Sequence, residues 1–369
     1  MDNLIYLTYQ SFPSQKANTI QTIDNLNYLS RYFEIELIFP LREKNSTDDI
    51  QVLKNYYSKI PNIKISGKVH NLPFGKVKIF EKYFFTISHY LWAKAETKKI
   101  SLRDNQYFFT RSDWVFYFLS RSGVKVIFEC HQLSKIRTWV MKKAIKNNGS
   151  KVIFLNKQLL ADSGLDNIKF QNKTRVIHNG VDSLLFSFNK TTNNKQVLFA
   201  GALKRFNEDR NVKFLIKCFQ DKQLKDYKLI IIGGTKKEVV DLNAYIEKLR
   251  IVNVKLHGQV SRIELVNYMK NSEIGLLINS GNNDHSLKYT SPLKYFEYLY
   301  SGLKVVAIDF PSHRILPFAE KINFFKENDS ISFIESIKKA SFEDCIKSNE
   351  LQDITLEKRA KKIHLFITE

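Results

Sequence analysis

The sequence predicts an α/β protein of two doubly wound domains, and three observations carry that expectation. Short apolar strands alternate with amphipathic helical stretches along most of the chain. The alternation breaks once, around residues 178–195, and then restarts. A length of 369 residues is too great for one small core and suits two domains of ordinary size.

The first half opens on the apolar strand Leu4–Leu7, followed by Ile20, Ile23, Leu26 and Leu29 at near-helical spacing and a second strand, Glu36–Pro40. This βαβ opening puts the loop 12–18 at the carboxyl edge of a parallel sheet. Further strands are expected at Tyr107–Thr110, Val124–Glu129, Val152–Leu155 and Thr174–Ile177. The turn His178-Asn-Gly-Val-Asp182 and the polar tract 189–195 then mark a boundary. Beyond it, strands are expected at Val197–Ala200, Leu229–Ile232, Val254–Leu256, Ile274–Ile278 and Val305–Ile308. Helices are expected from about Asp209, near Ile263–Lys270 and from Pro292. Ile354–Phe366 reads as a basic amphipathic helix. The expected division is residues 1–182, residues 183–350, and a C-terminal helix 351–369 returning to the first domain.

Hydrophobic residues at 43% and charged residues at 26% fit a globular protein rather than a disordered one. No window is apolar for the length of a spanning helix, so any membrane contact is expected to be peripheral. The acidic start Met1-Asp2 does not resemble an export signal, and a cytoplasmic chain is expected. Cys130, Cys218 and Cys345 are odd in number and far apart, which fits neither a disulfide framework nor a zinc pattern. The outlying quantity is a net charge of +21, from 58 Lys and Arg against 37 Asp and Glu. Such a balance attracts nucleic acid, anionic lipid or an anionic substrate, or is simply a lysine-rich solvated surface.

The segment with the most chemistry is Ser291-Pro-Leu-Lys-Tyr-Phe-Glu297. Ser caps free backbone N–H groups and Pro fits the first helical position, so a helix is expected to start here. Its N-terminus can hold phosphate through N–H groups and the helix dipole, with Lys294 adding a point charge. Glu297, three residues on, shares a face with Lys294 and can accept hydrogen bonds from a vicinal diol such as a ribose. Leu293, Phe296 and Leu299 take the opposite face. Alone, a Lys-x-x-Glu is most often a surface ion pair.

Together with Tyr298, Gly302 and the strand Val305-Val306, the segment resembles the donor-binding motif of GT-B glycosyltransferases, in particular the retaining family 4 group. The resemblance implies two Rossmann-like domains facing each other across a cleft. It implies transfer of a sugar from a nucleoside-diphosphate sugar, a UDP-sugar first among them, to a glycan or lipid-linked glycan, with retention, in bacterial capsule or lipopolysaccharide synthesis. It assigns the ribose to Glu297 and the diphosphate to the helix start at Thr290, Ser291, Pro292 and Leu293. Tyr289 stands where the family often has a Glu that touches the donor sugar, which leaves the sugar open.

Other segments fall into the same pattern. Gly201-Ala-Leu-Lys204-Arg205 leads to Arg210, and the family uses this loop to bring an Arg and a Lys to the donor phosphates. Ala202 replaces the family Arg, so Lys204 or Arg205 is expected to substitute, with Arg210 in the place of the Lys. His257-Gly258-Gln-Val260 resembles the loop abutting the nucleobase, and Asn179-Gly-Val-Asp182 a hinge. Glu129-Cys-His131 resembles a family Glu-x-His, which would give His131 a hydrogen bond to donor sugar or phosphate. No Asp-x-Asp loop is present and no metal or cofactor is expected; Asp48-Asp49 reads as a helix cap. No nucleophile is nominated.

On the acceptor side, Lys76, Lys78 and Lys82 interleave with aromatics and Trp92 follows, a composition suited to a bilayer interface. The expected place is the inner face of the cytoplasmic membrane. The rival readings are a sugar-nucleotide epimerase of the same fold and a non-catalytic binder of nucleic acid or anionic surfaces. No nucleic-acid module is recognisable, so nucleic acid is not an expected partner.

Overall fold

The computed structural model describes residues 1–57, 63–72, 80–101, 105–186, 194–205 and 208–369. They form two compact units, Met1–Ile177 with Arg359–Glu369, and His178–Lys358.

In unit 1 the strands are β1 (Asp2–Leu7), β2 (Phe33–Leu41), β3 (Lys64–Val69), β4 (Gln106–Thr110), β5 (Lys125–Cys130), β6 (Ser150–Phe154) and β7 (Thr174–Val176). They make one parallel sheet in the order β3-β2-β1-β4-β5-β6-β7. The interior strands are buried on both faces, as a sheet covered by helices on each side requires. This is why they read as short apolar runs. The helices are α1 (Ala17–Leu29), α2 (Ile50–Tyr57), α3 (Glu81–Lys99), α4 (Asp113–Arg121), α5 (Lys135–Ala144) and α6 (Lys157–Ser163). At α2 the capping expected of the Asp48-Asp49 pair is present: Asp49 Oδ1 accepts from the N–H groups of Gln51 and Val52 at 2.8 and 3.3 Å. From Arg359 onward the C-terminal segment lies on unit 1, burying Ile363, Phe366 and Ile367.

Unit 2 repeats the design with β8 (Gln196–Ala200), β11 (Lys228–Ile232), β12 (Val254–His257), β13 (Ile274–Leu277), β14 (Lys304–Ile308) and β15 (Ile322–Phe325). Their order is β12-β11-β8-β13-β14-β15, all parallel. Between β8 and α7 (Val212–Cys218) lies a two-residue antiparallel hairpin, β9 (Lys204–Arg205) with β10 (Glu208–Asp209). The hairpin delays the helix expected from Asp209: that residue pairs in β10, and its carboxylate caps α7 by accepting from Val212 N–H at 3.0 Å. The remaining helices are α8 (Lys236–Lys248), α9 (Arg262–Lys270), α10 (Leu293–Tyr300), α11 (Pro311–Arg314), α12 (Ser330–Phe342) and α13 (Leu356–Thr368), the last continuing into unit 1.

Apolar layers cover both faces of the second sheet, one including Leu215, Ile231 and Phe333, the other Leu198, Tyr295 and Leu303. Helix α10 sits on the latter face through Tyr298. The Tyr298 ring lies so close to Gly275 of β13 that a Cβ there would come within 2.5 Å of it, and the hydroxyl accepts from Ala200 N–H at 2.9 Å. Cys130, Cys218 and Cys345 are free thiols. Among the described residues no helix is long and apolar enough to cross a membrane.

The close contact at Gly275 gives a stability prediction. Gly275→Ala is expected to displace Tyr298 and destabilise the protein by about 1–3 kcal/mol, the usual cost of overpacking a tight core. Urea unfolding of the two proteins measures it; an unchanged midpoint would refute the account.

Candidate functional site

In a parallel sheet the loops that bind ligands gather at the carboxyl edge, where the strand order reverses. In unit 2 that point is β8, with β11 on one side and β13 on the other. Glycines end three neighbouring strands here: Gly201 after β8, Gly233 after β11 and Gly258 after β12. A Cβ at Gly233, whose φ is +125°, would fall 2.0 Å from the Gly201 carbonyl oxygen, so two loops run in backbone contact. At Gly258 the space is open, with Val239 at 3.8 Å, and Val260 packs on the core below.

Arg210 spans the gap between β8 and β13. Its Nη2 donates to Ile278 O at 2.7 Å, its Nη1 to Ala202 O at 3.3 Å, and its guanidinium lies 5.5 Å from the Phe199 ring centre. The cation is therefore fixed by two carbonyls. Lys204 is exposed on β9. The side chain of Arg205, with Lys76 and Lys78, lies outside the described residues.

The α10 start differs from the expectation in one respect. Pro292, at φ −74° and ψ 127°, is the cap position rather than the first helical residue, and Ser291 caps nothing. The Ser291 carbonyl instead accepts from Asn179 Nδ2 at 2.6 Å, and its buried hydroxyl has no hydrogen-bond partner. A buried unpartnered hydroxyl is uncommon, and this one is available to hydrogen-bond a water or a ligand. Ser286 Oγ, in the same loop, is likewise buried and unpartnered. Lys294 and Glu297 do share a face, and they pair at 2.5 Å with Glu297 largely buried.

The loop leading to α10 is held by groups that sequence reasoning did not single out. Glu327 accepts from Gly281 N–H at 2.9 Å and Asn211 Nδ2 at 3.0 Å, and Glu208 from Ser280 Oγ at 3.0 Å. Residues His285–Tyr289 form a π-helical turn, closed by Thr290 Oγ1 donating to His285 O at 2.8 Å. Tyr289 is the half-buried last residue of that turn. Nearby, His313 is buried with Nδ1 donating to Ile308 O at 2.8 Å. Burial lowers its pKa to about 4, and Arg210 acts in the same direction.

Unit 1 has its own charged cluster, at the end of β5. Glu129 is fully buried, and burial alone would raise its pKa; Arg111 and Arg359 outweigh that and hold it well below the usual range. Arg111 Nε donates to Oε2 at 2.6 Å, Arg359 Nη2 to Oε1, and Arg359 Nη1 to Asn25 Oδ1 at 2.8 Å. His131 Nε2 lies 2.9 Å from Glu129 Oε2. Burial and Arg111 push the His131 pKa down to about 4. A neutral imidazole facing an ionised carboxylate must donate from Nε2, which leaves Nδ1 with a lone pair. His131 is thus an acceptor at Nδ1, suited to a hydroxyl and not to a phosphate oxygen.

The interfacial role expected of Trp92 is contradicted: the side chain is 2% exposed and belongs to the unit 1 core, its ring 5.4 Å from Tyr9. Its spacing on α3 matches an inward face, which aromatic composition alone did not reveal. Lys82 is exposed. Among the described residues no group of three or more His, Cys, Asp or Glu side chains is placed to hold a metal ion.

Residues 184–354 match the family described as Glycosyl transferases group 1. The segment is thus similar to the domain of that family. Among solved structures, the chain is similar to sucrose-phosphate synthase from Thermosynechococcus elongatus, with TM-score 0.72, 14% identity, and 99% of this chain and 98% of that one covered. It is similar to the lipopolysaccharide outer core galactosyltransferase WaaB, at TM-score 0.66 and 14% identity over 99% and 100% of the two chains. It is also similar to a mutant of S. aureus TarM in complex with UDP and glycan ligands, at TM-score 0.66 and 11% identity over the whole of both. The fold of the chain is GT-B. No curated protein matches the sequence. Neither the epimerase nor the nucleic-acid reading gains from these likenesses.

Two predictions follow from the buried charges. Glu129→Ala leaves Arg111 and Arg359 buried without their carboxylate and is expected to cost roughly 3–5 kcal/mol, read as a lowered denaturation midpoint. For His313 the folded pKa, about 4, is depressed below an unfolded value of about 6.5. Unfolding then takes up a proton between these values, and stability falls as pH drops through that window. At pH 5 the loss is about 2 kcal/mol. His313→Asn, which keeps a donor for Ile308 O, is expected to lose less stability than the parent between pH 7.5 and 5; equal losses in urea unfolding would refute it.

Proposed function

We propose that the chain transfers a sugar from a nucleoside-diphosphate sugar, a UDP-sugar first among them, to a glycan or lipid-linked glycan acceptor. The observation carrying this is the α10 start: free backbone donors, the unpartnered Ser291 hydroxyl and Lys294, on the same sheet edge as the fixed guanidinium of Arg210. That edge suits a diphosphate, because N–H groups at a helix start and positioned cations stabilise the charge of a leaving nucleoside diphosphate. When phosphate takes Lys294, the Glu297 carboxylate is released to accept from both ribose hydroxyls. Gly258 and Val260 offer an open backbone ledge for the base. Following the family resemblance, His131 is assigned to the sugar, with Nδ1 as the acceptor for a hydroxyl.

The similarity to TarM, solved with UDP, supports uridine as the base. That to WaaB supports a surface glycan as acceptor, in capsule or lipopolysaccharide synthesis. Retention of configuration follows the family 4 resemblance of the α10 segment. The two cations and the helix dipole supply the countercharge, so the reaction proceeds without a divalent ion or cofactor. The proposed place is the cytoplasmic side of the membrane.

Calorimetry against UDP-, GDP- and ADP-sugars tests the reading. A UDP-sugar is expected to bind, with and without EDTA, and Glu297→Ala to weaken it at least about tenfold, as for lost hydrogen bonds to a charged acceptor. Absence of binding to any nucleotide sugar would overturn it.

A further inference from the structure

Three helices of unit 1 share an outer face that the donor site does not use. Helices α3, α4 and α5 pack side by side. A chain of rings crosses them: Tyr90 to Trp114 at 5.0 Å, Trp114 to Tyr117 at 6.2 Å and Tyr117 to Trp139 at 5.6 Å. At the α5 end the ridge is open, with Trp139 47% and Ile136 49% exposed. Tyr83, 65% exposed, is on the first turn of α3, seven residues before Tyr90.

The exposed charges on these helices are nearly all of one sign. Eight lysines and arginines are exposed, four on α3, one on α4 and three on α5, against one exposed acid, Glu81. The other acids are turned inward: Asp113 lies 3.4 Å from Arg137, and buried Glu96 holds Lys99 at 2.7 Å. Arg121 donates to the Tyr117 hydroxyl at 3.1 Å, placing a cation on the ridge itself. Exposed rings bordered by cations are what a headgroup layer takes, with rings at the depth of the acyl boundary and lysines meeting anionic lipid. A protein partner fits less well, since interface centres are depleted of charge. Single-stranded nucleic acid needs free ring faces, whereas these rings engage one another.

We propose that the outer face of α3, α4 and α5 docks on a bilayer leaflet rich in anionic headgroups. The docking surface is the ridge ending at Trp139 with Lys142 and Lys143 beside it, and it does not depend on the glycosyl-transfer reading.

Flotation with vesicles of phosphatidylcholine, alone or with roughly a third phosphatidylglycerol, tests this at about 0.1 M salt. The protein is expected to float with the anionic vesicles and not the neutral ones. Reversal of two charges, Lys142→Glu with Lys143→Glu, is expected to lower the bound fraction's partition coefficient at least about tenfold. The same charge change on α8, Lys236→Glu with Lys237→Glu, is expected to leave it near the parent value. Trp139→Ala is expected to weaken binding and to remove the blue shift in emission that anionic vesicles induce. All four lysines are exposed, so unchanged thermal midpoints verify folding. Absence of binding to anionic vesicles, equal loss in both double variants, or tight binding of an RNA oligonucleotide without vesicle binding would each overturn the proposal. Titration of the α5 variant with a UDP-sugar keeps the two readings separable, because docking loss is expected with donor binding intact.

Discussion

The architecture of the proposed donor edge depends on one hydroxyl, that of Tyr298. Strand β13 pairs with β8 only at Ile274 and Gly275, after which the two strands part. The N–H of Ala200, on β8 beyond that point, would lack a ladder partner, and a buried unpaired N–H is costly. Tyr298 supplies the acceptor at 2.9 Å, while its ring occupies the space that Gly275 leaves without a side chain. Burial raises the pKa of that phenol, so the hydroxyl stays neutral. One residue thus closes the ladder, fixes the height of α10 over the sheet and so aims the helix start. The same parting of strands leaves Ile278 O free to hold Arg210. Opening of the crevice and placement of its cation have a common origin.

Unit 1 solves a related problem with charge. Near its end β5 carries a buried carboxylate, Glu129, and two arginines from other parts of the sequence stabilise it. Burying such a trio rarely adds net stability compared with an apolar core. What it adds is definition: with Glu129 ionised and fixed, only one tautomer of neutral His131 satisfies the contact at 2.9 Å. Arg359 also ties the C-terminal segment to the strand that carries this pair.

The parts legible in the sequence were those with a strong period or a strong motif. Central strands such as Val305–Ile308 read as apolar runs because both faces are covered. β3, Lys-Ile-Ser-Gly-Lys-Val, escaped because an edge strand needs no such run and its residues are mostly half-exposed. The β9–β10 hairpin is two residues a side, too short for any period. The Lys294–Glu297 pairing followed from helical spacing, whereas the cap shifted by one residue, since Asn179 claims the Ser291 carbonyl from over a hundred residues away. Arg111 and Arg359 were missed for the same reason: their partner is set by topology, not by neighbours in the chain. Trp92 and Trp139 look alike in composition, and only the packing of α3 against the sheet separates the buried one from the exposed one.

Under the two proposals above, the net charge of +21 serves two physically different uses. Arg210 and Lys294 are held by carbonyls or a carboxylate at a sheet edge, where low dielectric and fixed geometry make a single cation effective against a diphosphate. Such contacts are short and weakly screened. The lysines of α3 and α5 stand in water, where each acts weakly and beyond a Debye length of about 10 Å at 0.1 M salt is largely screened. They matter only in number. A surface that needs many screened charges acting together suits a partner that is itself a field of dispersed charge, and a leaflet of anionic headgroups is such a field.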